Sequence, residues 1–320
     1  MKIVCQPTQP LVIDNDCIAL DQIRTNFIEH GTTTSGDMRQ LMTILLKTKN
    51  FNALSNGLWL AAEVARLNPN RFIAVISKRK LKRIARKIER RWPEGKIRAQ
   101  LYNVLCRWTN NLTADLNTFR CQCVVGSGVV GTLVKLAFPP ETTTDDKTIA
   151  PASEWPPANA GRHSNAMPVG ASGSTDSLTR LYALCTLANV AIVSTGKLQL
   201  ICHNAIAKCV QTTETASLVS FRRQASRLLT NVSCNGQLAH WALARQETLR
   251  ALRHSLADDD HVTAYYAAWT MANLNRNNWL LRLKRIARPG KFQWFLPSTL
   301  CNLLICITFV LLSVSQQTEG

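Results

Sequence analysis

Apolar residues recur at helical spacing along most of the chain. In residues 37–67 they lie three and four positions apart, which predicts two helices around a turn at Asn50–Asn56. The same spacing marks Ile97–Leu116, and a long helix is predicted in the second half over Gln237–Leu256. We therefore expect an all-α protein with a mainly helical N-terminal half and a helical bundle in the C-terminal half.

One long segment, residues 139–177, breaks this helical pattern. Pro, Gly, Ser and Thr dominate it, and apolar residues have no period there. Such a composition buries too little apolar surface to fold, so we predict a largely disordered linker. The linker would separate a basic N-terminal region, residues 1–138, from a helical bundle domain, residues 178–288.

The most apolar stretch lies at the C-terminus. No charged side chain occurs from Phe292 to Val314, and about 20 apolar residues suffice for a helix to cross a bilayer. A basic run ending at Lys291 precedes the stretch, and such residues stay on the cytoplasmic side. We predict a single-pass transmembrane tail anchor over residues 292–314, with a buried core helix as the alternative.

The anchor would hold the rest of the chain on the cytosolic face of the endoplasmic reticulum or of the mitochondrial outer membrane. The tail that follows it, SQQTEG, carries one acidic residue and no basic one. A mitochondrial tail is expected to be basic on both sides of the anchor, so the tail favours the endoplasmic reticulum.

Positive charge is the next unusual property of the chain. The 320 residues carry a formal net charge of +18, which favours contact with an anionic membrane or with nucleic acid. The charge is densest in Lys78–Arg91, whose apolar residues lie three and four apart, as in a basic amphipathic helix. The helix could present a solvated face, lie on anionic lipid or bind nucleic acid. The candidate basic surface comprises Lys78, Lys80, Arg83 and Lys87.

No pattern in the chain indicates catalytic or metal chemistry. The six histidines and 11 cysteines have no metal-ligand spacing, and the Cys121–Cys123 pair is too close for a zinc knuckle. The glycines of Gly126–Gly131 match a dinucleotide-binding pattern, but strands and helices do not alternate around them. We therefore predict a binding or interaction protein that is not an enzyme, without catalytic residues, cofactor or metal.

Four short segments of the second half occur in a recognisable order. Leu187–Ile192 is followed by Cys234–Gln237, then by Trp279, then by Lys291–Leu296 at the entry to the anchor. They resemble the death motif, the first and second homology motifs and the anchor entry of the Bcl family of apoptosis regulators. The match departs from the family at Gln237, where the family has arginine, and in the missing aspartate of the death motif. Phe221–Ser226 is also similar to part of a cyclin box.

The Bcl resemblance implies a bundle around one buried apolar helix, here Gln237–Leu256. It also implies a surface groove that binds the amphipathic helix of a partner protein. The function would be regulation of apoptosis by a tail-anchored protein. A membrane scaffold using the basic helix on lipid, or a nucleic-acid-binding protein held at a membrane, are the alternatives. The candidate residues for partner-helix binding are Asn235, Gly236, Gln237, Trp241, Trp269 and Trp279.

Overall fold

The protein is built from helices in two compact units. A computed structural model of the chain describes residues 15–139, 172–234, 242, 243 and 245–276. These residues form helices and turns without a β-strand, which confirms the all-α class. The units are Met1–Leu112 and Thr113–Gly320. The division therefore lies before residues 118–137, which the sequence had assigned to the N-terminal region, and not at the linker.

Unit 1 contains five α-helices among the described residues. They are α1 (Asn15–His30), α2 (Ser35–Lys47), α3 (Phe51–Leu67), α4 (Lys78–Arg91) and α5 (Lys96–Thr113), with a 3₁₀ helix at Pro69–Phe72. The Asn50 side chain accepts hydrogen bonds from the backbone N–H groups of Asn52 and Ala53, and so caps α3. Because α3 begins directly after this cap, the predicted turn at Asn50–Asn56 is too long.

Unit 2 contains the other α-helices of the described residues. They are α6 (Thr118–Gly126), α7 (Val130–Ala137), α8 (Ser172–Val190), α9 (Ser194–Cys202), α10 (Ala205–Thr215), α11 (Val219–Ser233), α12 (Gln246–Leu256) and α13 (His261–Arg276). The backbone at Arg245 is extended, with φ −114° and ψ 150°, so α12 begins only at Gln246. The predicted continuous helix over Gln237–Leu256 is therefore wrong.

The helices of unit 2 form two layers. In one layer α11 packs between α8 and α13, and in the other α10 packs against α12. Each helix of the second layer also packs on a helix of the first: α7 on α8, α10 on α11 and α12 on α13. This stacked arrangement of helix pairs replaces the predicted bundle around one central helix.

The two layers arise from a repeat of 42 residues. Alanines 183, 225 and 267 are fully buried in α8, α11 and α13, and they lie 42 positions apart. The second layer follows the same register, since Cys209 and Val210 of α10 correspond to the buried Ala251 and Leu252 of α12. Each repeat buries its apolar side only by stacking on its neighbours, as in helical repeat proteins.

The predicted anchor and most of the predicted linker lie outside the described residues. Within the described part, no single helix is both long and apolar enough to cross a membrane. Helices α6 and α7 would pass such a test only together, as a pair bent by 87°.

Candidate functional site

A row of three asparagines crosses the first layer of unit 2. Asn189, Asn231 and Asn273 lie near the C-terminal ends of α8, α11 and α13, at intervals of 42 residues. Because these helices pack side by side in that order, the three amides follow one another across the layer. We call them the asparagine row. It is absent from the sequence predictions, and a comparison of the chain with itself at an offset of 42 residues is the signal that reveals it.

Asn231 and Asn273 bond to the repeat before their own, and Asn189 bonds to Thr113, earlier in the chain. The Asn231 Nδ2 group donates to the carbonyl oxygen of Ala188 across 2.8 Å, beside Asn189. Asn189 Nδ2 donates to the Thr113 hydroxyl across 3.1 Å, and Asn273 Nδ2 donates to the Ser233 hydroxyl across 2.9 Å. The row is thus held in a fixed orientation by the stacking of repeats.

A second row lies one helical turn earlier, on the same face of each helix. Its members are Cys185, Arg227 and Trp269, each four residues before an asparagine. Arg227 donates from its two terminal nitrogens, to Asn189 Oδ1 across 2.6 Å and to Gln224 Oε1 across 3.2 Å. Cys185 is buried, and burial raises the pKa of its thiol to about 12.

Trp269, the last member of the second row, has an exposed aromatic ring. Its side chain is 46% exposed, and Tyr265, one turn earlier, is 38% exposed. The two rings meet edge to face with centroids 5.6 Å apart. With the equally exposed Val262, they form an apolar patch on α13 beside Asn273. Trp269 is the one predicted partner-binding residue that the structure describes, and it lies on this face.

Unit 1 contains the same arrangement on α3 and α5. Asn111 Nδ2 donates to the Ala62 carbonyl oxygen across 2.9 Å, as Asn231 does to Ala188. Arg107 lies four residues before Asn111, and its guanidinium pairs with the Glu63 carboxylate. Glu63 therefore takes the position of an asparagine in α3, with Trp59 four residues before it.

The other candidates for partner-helix binding cannot be placed on this face. Asn235, Gly236, Gln237, Trp241 and Trp279 lie outside the described residues. The Bcl resemblance assigns Leu187–Ile192 to the death motif. In the structure this segment spans the C-terminal end of α8 and contains Asn189 of the repeat. The apoptosis function and the tail anchor remain predictions from the sequence.

The predicted basic surface contains two exposed residues and two half-buried ones. Lys78 and Arg83 are exposed on α4, as expected. Lys80 Nζ instead donates to the Val75 carbonyl oxygen across 2.7 Å, and Lys87 Nζ donates to the carbonyl oxygens of Leu45 and Thr48. These two lysines are half-buried and bond to backbone carbonyl oxygens. The prediction that they belong to the basic surface is therefore wrong.

Burial also changes the pKa of Lys87. Desolvation, together with the nearby Arg91, lowers the pKa of its ammonium group to about 8. The lysine remains mostly charged near neutral pH while it holds the C-terminal end of α2, a position that favours a cation.

A separate cavity of about 300 Å³ lies between α10 and α12, in the second layer of unit 2. Ile206, Val210 and Thr248 contribute to its wall. An ion pair between Glu214 and Arg250, 3.0 Å apart, lies at the cavity. No group of His, Cys, Asp or Glu that could hold a metal ion occurs among the residues described in the two units.

No family model and no curated protein matches the chain. Solved helical repeat proteins do resemble it in structure. A designed armadillo repeat protein in complex with the peptide (KR)4 matches 81% of this chain and 90% of its own, with a TM-score of 0.54 and 17% identity. A computationally designed armadillo repeat protein for modular peptide recognition covers the same shares, with a TM-score of 0.53 and 17% identity.

A third similar structure is an engineered protein. It matches 85% of this chain and 96% of its own, with a TM-score of 0.57 and 16% identity. At these identities the likeness concerns the fold, which is that of a helical repeat protein. It agrees with the 42-residue register observed in unit 2.

Proposed function

We propose that this protein is a helical-repeat adaptor that binds a segment of a partner protein along the asparagine row of unit 2. The row itself is the observation that carries the proposal. A carboxamide has two N–H donors and an acceptor oxygen, so it can pair with both polar groups of a peptide backbone. Asn231 Oδ1 accepts no hydrogen bond from the described residues, which leaves it available to a ligand.

The spacing of the row suits an extended ligand. Packed helices lie about 8–10 Å apart, and an extended chain advances about 3.3 Å per residue. Asn189 is buried and bonded to Arg227. The half-buried Asn231 and Asn273 are therefore the amides that would meet the ligand backbone, about two to three ligand residues apart. Side chains between these contacts would reach the second row, where Trp269 and Tyr265 offer an apolar surface and Arg227 offers a cation.

The structural neighbours support this proposal. One of them is solved with a bound peptide, and another is designed for peptide recognition. The peptide specificity of this chain need not match that of its structural neighbours. Arg227 gives the face a positive charge, and a (KR)4 peptide would add further cations to it. A partner protein was also expected from the sequence, but as an amphipathic helix in a groove rather than as an extended segment.

The proposal can be tested by selecting ligands from a random peptide library on the full-length protein. We expect selected peptides to bind in an extended conformation, as shown by NMR chemical shifts of the bound peptide. Trp269→Ala should weaken them at least tenfold, whereas His254→Ala, an exposed position on α12, should not. Peptides that bind as helices, or that are insensitive to Trp269→Ala, would contradict the proposal.

A further inference from the structure

The outward side of α4 carries an unusual density of cations. Lys78, Arg79, Lys82, Arg83, Arg86 and Arg90 are all exposed. None of these six residues forms an ion pair with a described residue, although other arginines of unit 1 do so. We call this group the α4 basic face. It is separate from the asparagine row, which lies in unit 2.

The α4 basic face is a compact stripe. At 3.6 residues per turn, the six positions fall within an arc of about 140°, and the stripe is about 18 Å long. Glu89 is the one acidic residue on the helix. Exposed lysines at positions 47 and 49 extend the charge beyond α4, since Arg91 Nε donates to the Lys49 carbonyl oxygen across 3.1 Å.

The local structure fixes this stripe in place. Leu81, Ile84 and Ile88 on the opposite side of α4 are completely buried. The half-buried Lys80 and Lys87 lie beyond one edge of the stripe and bond to the backbone carbonyl oxygens of Val75 and Thr48. The six cations therefore project from a backbone that packing holds in place, and Glu89 is the one acidic residue within their arc. An external polyanion would reduce the repulsion between them.

We propose that the α4 basic face binds the phosphate backbone of nucleic acid, independently of its base sequence. Four of the six residues are arginines, whose planar guanidinium groups bond phosphate oxygens in pairs. A stripe of cations about 18 Å long meets several phosphates of a strand, which are spaced about 3.4 Å apart along the duplex axis. This partner differs from the peptide of the proposed function and occupies another unit.

A lipid surface is the competing partner, and the packing of α4 disfavours it. A helix that lies on a membrane inserts its apolar side among the lipids. On α4 the apolar side is buried in the core of unit 1, and no exposed large apolar side chain occurs on this helix. Ionic contact with lipid headgroups would remain, without the insertion that holds an amphipathic helix on a bilayer.

The test uses the full-length protein and a short DNA duplex of mixed sequence, with binding measured by fluorescence anisotropy. The variant carries Lys82→Gln, Arg83→Gln and Arg86→Gln. A matched control, Arg39→Gln, Lys96→Gln and Lys135→Gln, removes the same charge from exposed positions on other helices. All six side chains are exposed, so circular dichroism and the thermal midpoint should be the same for the three proteins.

We expect the wild-type affinity to fall steeply between about 50 and 200 mM salt, because phosphate contacts release counterions. The α4 variant should bind at least tenfold more weakly at low salt, and its log–log salt slope should be smaller by about 3. The control should keep the wild-type slope. Equal losses in the two variants, or phosphatidylserine vesicles that displace the duplex at matched charge concentration, would overturn the proposal.

Discussion

Arg227 of α11 donates a hydrogen bond of 2.6 Å to the side-chain oxygen of Asn189 on α8. Arg107 of α5 has the same relation to Glu63 of α3 in unit 1. Both arginines lie four residues before an asparagine, and each bonds to the equivalent position of a helix earlier in the chain, α8 for Arg227 and α3 for Arg107. The stacking of repeats is therefore reinforced by polar contacts on the very face that we propose binds a partner.

The Arg227 contact should contribute to stability. Asn189 is only 1% exposed, so the change Arg227→Met would leave its buried amide oxygen without this donor. A buried polar group left unsatisfied costs about 1–3 kcal/mol, and we expect the free energy of unfolding to fall by this amount. Urea unfolding measures it. Arg227→Lys, which keeps a donor, should recover part of the loss, and equal stability of all three proteins would refute the role.

Gly196 should tolerate no side chain. A Cβ atom at this position of α9 would lie 2.1 Å from the Val190 carbonyl oxygen, which ends the preceding helix. We expect Gly196→Ala to destabilise the protein by about 3 kcal/mol or more, since backbone must move. Gly36→Ala in α2 is the control, because its Cβ would meet only Thr34 Oγ1 at 3.5 Å. Thermal unfolding of the two variants should show a large shift for the first alone.

Acid should weaken the start of α13. Asp260 accepts hydrogen bonds from the backbone N–H and the hydroxyl of Thr263, at 2.9 and 2.7 Å, and it pairs with Arg223. Arg223 and these bonds lower the pKa of its carboxyl group to about 2. Because the folded pKa lies below the usual 3.8, the stabilisation is present above pH 4 and is lost as the pH falls towards 2.

The contribution of Asp260 to the unfolding free energy should be about 1–2 kcal/mol after allowance for solvent screening. The unfolding free energy, measured in urea between pH 5 and pH 2, should therefore depend less on pH for Asp260→Asn than for the wild type. Parallel pH dependence of the two proteins would contradict the assignment.

Lys87 should make the stability rise with pH in the alkaline range as well. Its folded pKa of about 8 lies below the usual 10.5, so the unfolded chain binds its proton more tightly. Stability attributable to Lys87 should rise as the pH increases from 8 to 10. The difference in unfolding free energy between wild type and Lys87→Met, measured across this range, isolates the effect from other groups. Lys82→Met, which removes an exposed lysine from the same helix, is the control for the loss of one positive charge.

The helices themselves could be predicted from the sequence. Leu81, Ile84 and Ile88 mark the buried side of α4, and the structure buries all three completely. Helical spacing reports which side of a helix is buried, but not which other helix covers it. The stacking of α8, α11 and α13 was therefore not accessible from periodicity within single helices.

The repeat and its asparagine row were missed for two physical reasons. Stacked helices require apolar positions in register rather than identical residues, so the three helices share little beyond alanine and asparagine at fixed positions. The long segment between α7 and α8 also interrupts the 42-residue register. Short helical fragments such as Leu187–Ile192 then fit the motif of another helical family. The half-buried states of Lys80 and Lys87 depend on contacts from outside α4, which charge spacing cannot reveal.

The most direct test of the central claim is the affinity of a library-selected peptide for the double variant Asn231→Ala, Asn273→Ala. If the asparagine row pairs with the backbone of an extended ligand, the full-length variant should bind the peptide at least tenfold more weakly, by isothermal titration calorimetry. Circular dichroism at the temperature of the titration must show that it is folded. An affinity equal to that of the wild type would contradict recognition along the row.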